Sequence, residues 1–366
     1  MAAETSVAGE VTLAQWNRTL LSRQHLLSRV DEDAVEVLDR CVGLQSQDPR
    51  AAFYGLWSRI EGFDPGELDD LMTDREVVRM ALLRSTVFLM DSQDARWVRP
   101  LAQAAMEGEV RSNHLRRLVD AAAPDITAHA QDLLSGNELT AKELGRKLGH
   151  RWPDDPPSTL TAVARCTLPL VQVPPRGLWN GHAGATYRLF DDWVGPGEPA
   201  VVGDEARKDL IRLYLRGFGP STVKGIQTWA GMTRLRPLVE AMEADWELNR
   251  FRGPDGVLLF DLDGIDIVDG DEPAPARLLA PFDNVVTAQA DRRRIIDDEV
   301  YAQLVTPNGL MPGLGLVGGR VVARWSADDT GAVRVETLAP VNASDTQALV
   351  DEAQRLTEFH RAYPAT

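Results

Sequence analysis

The stretch from Glu205 to Leu262 limits the possible folds more tightly than any other part of the chain. Glu205 to Arg216 has helical apolar spacing, and Gly217-Phe218-Gly219-Pro220 ends it. Ser221 is expected to cap a short helix carrying Val223, Ile226 and Trp229. Gly231 makes a turn, and Thr233 opens a further helix through Leu235, Leu238, Val239 and Met242. Trp246 to Phe251 and Val257 to Leu262 read as strands joined by Gly253-Pro254-Asp255-Gly256. Helix, helix, turn, helix, hairpin is the winged-helix order, a variant of helix-turn-helix.

A similar order fits the two preceding segments. Thr12 caps a helix through Trp16, Leu20 and Leu21, and Asp31 or Asp33 caps the next, through Val37, Leu38 and Cys41. Asp48 is read as an N-cap with Pro49 at the first helical position, and Asp64-Pro65 as another helix start. Val77–Leu82 and Thr86–Met90 form a strand pair. Thr140 and Glu143 have capping-box spacing, Ser158 starts a helix, and Leu170–Val173 and Ala185–Phe190 are strands. Beyond Asp271 the pattern is strand-rich and closes on a helix from Asp345 to Ala362. The expected class is α+β: three tandem winged-helix motifs followed by a small, barrel-like β-rich domain. The expected boundaries are residues 1–130, 131–200, 201–272 and 273–366.

The 366 residues are 44% hydrophobic and carry a net charge of -16, enough for a large core under a surface that on average repels polyanions. Arginine dominates the cations, so a nucleic-acid face has to be a segregated arginine surface. Cys41 and Cys166 lie far apart in apolar helical contexts and read as buried free thiols of a reduced compartment. Met1 to Glu10 has no apolar signal core and no stretch reaches membrane-span length, so a soluble cytoplasmic protein is expected.

Several motifs fail on context. Gly313-Leu314-Gly315-Leu316-Val317-Gly318 matches the dinucleotide glycine pattern, but a strand follows where a pyrophosphate-binding helix would be needed. The six histidines show no metal spacing and neither cysteine has a ligand nearby in sequence. No cofactor, nucleotide or metal is expected. Gln45-Ser46-Gln47, between an apolar helix and the next helix start, is different. A carboxamide does not titrate near neutrality, yet its oxygen can hold a water and its dipole can face a developing cation. Two loop glutamines also fit solvated or capping roles. Arg84 with Ser85 and Thr86, Arg176 in a Pro-Pro-Arg-Gly turn, Arg216 and Lys224 by the clearest helix-turn-helix, and the run Arg292-Arg293 suit phosphate tracking.

With these residues in place, the chain resembles the AlkZ-like DNA glycosylases. The resemblance is carried by Gly43-Leu44-Gln45-Ser46-Gln47-Asp48-Pro49, Val173-Pro174-Pro175-Arg176-Gly177-Leu178-Trp179, Tyr214-Leu215-Arg216-Gly217-Phe218-Gly219-Pro220, and Pro281-Phe282-Asp283-Asn284-Val285-Val286. It implies a C-shaped molecule whose winged helices and β-domain line a concave, duplex-sized face. It also implies a catalytic Gln45 and Gln47, removal of bulky alkylated purines from double-stranded DNA, and membership of the branch tied to antibiotic self-resistance. The expected DNA contacts are Arg84, Ser85, Thr86, Arg176, Arg216, Lys224, Asp283, Asn284, Arg292 and Arg293. A monomer is expected, because winged helices repeated within one chain need no partner. The rival readings are a non-catalytic winged-helix transcription regulator and a protein-binding scaffold using the acidic surface.

Overall fold

Caps and tight turns set the element boundaries. The computed structural model describes residues 7–305 and 309–364, so residues 1–6 of the N-terminal stretch lie outside it. Strand β1 (Gly9–Glu10) leads into α1 (Leu13–Arg23), where Thr12 and Gln15 form the reciprocal capping box. Helix α2 (Ala34–Arg40) ends in a reversal at Val42 and Gly43, with φ of 60° and 69°. Glycine is required there, since a Cβ on Gly43 would lie 2.9 Å from the Leu89 carbonyl oxygen. The turn delivers β2 (Leu44–Gln45).

Helix α3 (Ala51–Trp57) starts later than the Asp48-Pro49 signal suggests. Asp48 caps no helix. Its carboxylate accepts from the Arg50 N–H at 2.9 Å, closing a local turn, and the helix follows Arg50. Helix α4 (Pro65–Thr73) has the expected Asp64 cap. Strands β3 (Val77–Ala81) and β4 (Val87–Asp91) then pair antiparallel ahead of α5 (Ser92–Glu109) and α6 (Ala123–Leu134). The next elements are β5 (Leu139–Thr140), α7 (Ala141–Arg151), α8 (Pro157–Thr167), β6 (Leu170–Gln172) and β7 (Thr186–Leu189). Thr140 and Glu143 make their capping box, whereas α8 starts at Pro157, not Ser158. The strands join one six-stranded sheet in the order β2-β4-β3-β6-β7-β5, with Met80 against Val171 linking its halves.

After α9 (Phe190–Val194) come α10 (Asp204–Phe218), α11 (Val223–Ala230) and α12 (Arg236–Ala244), then the hairpin β8 (Leu248–Arg252) and β9 (Leu258–Leu262). Two expected helix starts shift. Thr222, not Ser221, caps α11 by accepting from the Gly225 N–H, because Ser221 is buried and bridged to Phe260 by two backbone hydrogen bonds. Helix α12 begins beyond Thr233, since the Gln227 carboxamide oxygen accepts from the Leu235 N–H and Arg234 is left-handed. Strand β1 adds to this hairpin in parallel with β8, so Gly9 and Glu10 pack on the third segment.

The last part holds β10 (Arg277–Leu279), α13 (Asn284–Thr287), α14 (Asp298–Ala302), β11 (Gly313–Val317), β12 (Arg320–Ala327), β13 (Val333–Thr337) and α15 (Ala343–Ala362). Gly318 and Gly319, both left-handed, turn β11 into β12, so the glycine pattern serves a hairpin. The sheet runs β10-β11-β12-β13 among the described residues, an open sheet where a barrel was expected. Leu349, Leu356 and Phe359 of α15 share a core with α2, α3 and α4. Among the described residues no helix is long and apolar enough to cross a membrane. Both cysteines are free and buried.

A buried ion pair ties the ends of the molecule together. Arg59, just past α3, meets Asp283 at 3.0 Å with both side chains 0% exposed. Burial opposes the Arg59 charge, but the carboxylate of Asp283 prevails and raises its pKa above the ordinary arginine value. Asp283→Ala strands a buried guanidinium, and urea unfolding should show a loss of about 3–5 kcal/mol. Replacing both partners with apolar residues, Arg59→Met with Asp283→Leu, should recover most of that loss.

Candidate active site and nucleic-acid interface

Gln45 closes β2 opposite Phe88, and the chain stays extended because the Ser46 N–H donates to the Val87 carbonyl at 2.7 Å. The strand ends at Gln45, and beyond Ser46 the chain bends at Gln47. Gln45 is 9% exposed, and its amide oxygen accepts from Arg84 Nη2 at 3.1 Å. Gln47 is exposed, and its amide oxygen accepts from the Val87 N–H at 3.1 Å. A carbonyl oxygen has two lone pairs, so each amide keeps acceptor capacity for a water.

Ser46 is held from behind by an arginine. Arg79, 2% exposed on β3, donates through Nη2 to the Ser46 carbonyl at 2.6 Å, through Nε to the Ser46 hydroxyl at 3.2 Å, and through Nη1 to the Gln172 amide oxygen. Gly177 leaves room for it: a Cβ there would sit 2.9 Å from Arg79 Cδ. Burial lowers the Arg79 pKa to about 10, helped by the charge of Arg176. Sequence reasoning missed Arg79 and Gln172. The available signal was a charge inside Val77-Val78-Arg79-Met80-Ala81, a strand buried along its whole length.

Gln47 lines an open cavity of about 650 Å³ together with Arg79, Arg84, Arg165, Arg176, Glu109 and Tyr187. Ser85 and Thr86 line it as well. Arg84 is half-buried and left-handed (φ 55°), and it is tied to the Trp229 carbonyl at 2.7 Å as well as to Gln45. It therefore positions Gln45 as well as facing the cavity. Burial lowers its pKa to about 10. Burial would raise Glu109, but the Ser85 hydroxyl and the charge of Arg165 prevail and hold it below the usual carboxylate range. Burial also pushes the Tyr187 phenol up.

The other expected contacts separate. Lys224, Arg292 and Arg293 share a second groove with Arg236, floored by Val257 and Phe260. Arg292 stacks 4.4 Å over Tyr301, and Arg293 pairs with Asp291 and Asp255. Arg216 lines neither cavity, and its guanidinium meets the Asp39 carboxylate at 2.6 Å. Asp283 and Asn284 are not surface groups. They are 4% and 0% exposed, Asp283 is committed to Arg59, and Asn284 Nδ2 donates to the Gly43 carbonyl at 2.9 Å. They brace the turn that precedes Gln45.

The fold also gathers what the linear spacing hides. Glu109, His114 and Cys166 bring potential metal-ligand atoms within 4.8 Å of one another, so Cys166 does have ligand-type neighbours. Arg165 donates to Glu109 at 2.8 Å and burial pushes the Cys166 thiol up; both oppose a divalent cation there.

The family model for DNA glycosylase AlkZ-like proteins matches residues 38–359. The fold is similar to that of the Streptomyces sahachiroi DNA glycosylase AlkZ, with a TM-score of 0.78 at 20% identity over 95% of this chain and 97% of that one. No curated protein matches the chain by sequence.

Salt dependence should separate the exposed Lys224 of the second groove from the buried Asn284. Lys224→Gln should weaken duplex binding and flatten the plot of log affinity against log salt by about 1. Asn284→Ala should lower the melting temperature and leave that slope unchanged. Fluorescence anisotropy across a salt series measures both.

Proposed function

The chain belongs to the AlkZ-like DNA glycosylase family, and on that premise we propose that it hydrolyses the N-glycosidic bond of bulky N7- or N3-alkylated purines in duplex DNA. Gln45 and Gln47 are the catalytic pair. The observation that carries the reading is the placement of Gln45-Ser46-Gln47, clamped by Arg79 at the edge of an arginine-lined cavity with Gln47 open to solvent.

Alkylation at N7 or N3 makes the purine cationic, so the base departs neutral and needs no general acid. The barrier that remains is positive charge developing on the deoxyribose, together with delivery of water to C1′. Gln47 positions the water through its free acceptor capacity. Arg84, by donating to the Gln45 oxygen, fixes which way that amide points, and the second lone pair faces the sugar. A carboxylate at either position would attract the cation more strongly but would be repelled by nearby phosphates, and at Gln45 it would pair with Arg84. Neutral amides avoid both.

The order α10, α11, α12 and the β8–β9 hairpin supports a winged helix in the third segment, and the basic groove at Lys224 suits a phosphate track alongside it. The remaining proposals are three tandem winged helices, a C-shaped binding face, monomeric action, a role in self-resistance and unhooking of crosslinks. Approach from the groove, without a snug base pocket, would accommodate bulky or crosslinked adducts that base flipping could not.

Incubation with a duplex carrying one bulky N7-alkylguanine, followed by alkali cleavage at abasic sites, tests the reading. Gln45→Ala and Gln47→Ala should each lower single-turnover excision by about 10²-fold while duplex affinity stays within about twofold. Lost binding with unchanged chemistry would contradict the assignment.

None of these cavity groups is shifted into the neutral range: Glu109 moves down, Tyr187 moves up, and Arg79 and Arg84 fall only to about 10. Since neither amide titrates, the single-turnover rate should be nearly flat between about pH 6 and 9, where a histidine base would give a step.

A further inference from the structure

The cavity beside Gln47 carries a charge imbalance that the protein does not correct. Of its four arginines, Arg165 is paired with Glu109 at 2.8 Å, and Glu109 is the one carboxylate in the lining. Arg79, Arg84 and Arg176 bind carbonyls, a hydroxyl and amides instead, and among the described residues none of them is ion-paired. The one carboxylate whose charge acts noticeably on Arg79 is that of Asp48, which is exposed and holds the Arg50 N–H. Three uncompensated guanidiniums converge here on a chain whose net charge is -16. By contrast, Arg23 and Arg59, as buried as Arg79, each have an aspartate within 3.0 Å.

Such a field is unfavourable to the reaction proposed for this site. Opening the glycosidic bond builds positive charge on the sugar. At roughly 8 Å and an effective dielectric near 20, each uncompensated guanidinium slows that step by roughly thirtyfold. The site becomes competent when an anion occupies the cavity, and a duplex presents one at every linkage. Arg176 suits the ligand role: it is half-buried, gives one guanidinium nitrogen to the Ala183 carbonyl at 3.0 Å, and has further donors to offer.

We infer that this cavity is a phosphate subsite, filled by one backbone phosphate adjoining the alkylated nucleotide, and that the seated phosphate completes the catalytic site. The inference rests on the glycosylase reading. The phosphate offsets one of the three guanidinium charges before the sugar becomes cationic, so substrate charge is part of the catalytic field as well as a handle for binding. A free purine nucleoside bearing the same alkyl group lacks that phosphate and leaves the field uncorrected.

The test uses the full-length protein and duplexes with one N7-alkylguanine and a single uncharged methylphosphonate, moved through the linkages around the lesion. Single-turnover excision at saturating protein should fall about tenfold or more at one linkage. Neutralisation elsewhere should change affinity and leave that rate within about twofold. In the Arg176→Gln protein, neutralising the critical linkage should cost little or nothing, because the substitution has already removed the phosphate's ligand. Uniform excision across all neutralised duplexes overturns the inference alone, as do losses that multiply in the Arg176→Gln protein. No excision from the all-phosphate duplex by the unaltered protein overturns the glycosylase reading and this inference with it.

Discussion

The buried contact between Arg59 and Asp283 is the constraint on which the geometry of this molecule depends. It joins the end of α3 to the start of α13, segments more than two hundred residues apart, with neither side chain exposed. A pair removed from water holds only if every neighbour keeps it so. Asn284 follows directly and donates to the Gly43 carbonyl, inside the turn that launches β2. The C-terminal part therefore sets the angle at which the Gln-x-Gln segment leaves α2. Two residues expected at a DNA surface turn out to be buried supports near the Gln-x-Gln segment.

A second level of support works from the sheet. Arg79 places a buried charge behind Ser46, holding its carbonyl and its hydroxyl while a third donor is anchored on the Gln172 amide oxygen. Arg84 orients Gln45 from the opposite side while anchored to the end of α11. An amide in water rotates freely; here each one has a fixed partner and a remaining lone pair. This is pre-organisation, with the ordering cost met in folding rather than at the moment of reaction. The same arginines leave the cavity positive, so the groups that hold the Gln-x-Gln segment also favour an anion beside it.

The acidic composition and the DNA-glycosylase family are compatible because charge is sorted rather than averaged. Carboxylates neutralise arginines over much of the surface, as at Asp39 with Arg216 and Asp291 with Arg293. In the Gln47 cavity and the Lys224 groove the cations outnumber the acids. Local potential, not net charge, decides where a phosphate settles.

Much was legible in the amino-acid sequence by itself because the signals act over a few residues. The Thr12 and Thr140 capping boxes, the Asp64 cap, the β3–β4 and β8–β9 pairs and the Gly318-Gly319 turn follow from neighbour chemistry. The helix starts expected at Asp48, Ser221 and Thr233 failed where a distant group or a competing turn satisfied the same backbone donors. Joining of the first two segments in one sheet, the inward turn of Asp283 and Asn284, and the meeting of Arg79 with Ser46 were decided by tertiary structure. The physical reason is that a charged side chain does not record in its own sequence whether its partner will be water or a buried group two hundred residues away. Only packing determines which, by removing the water.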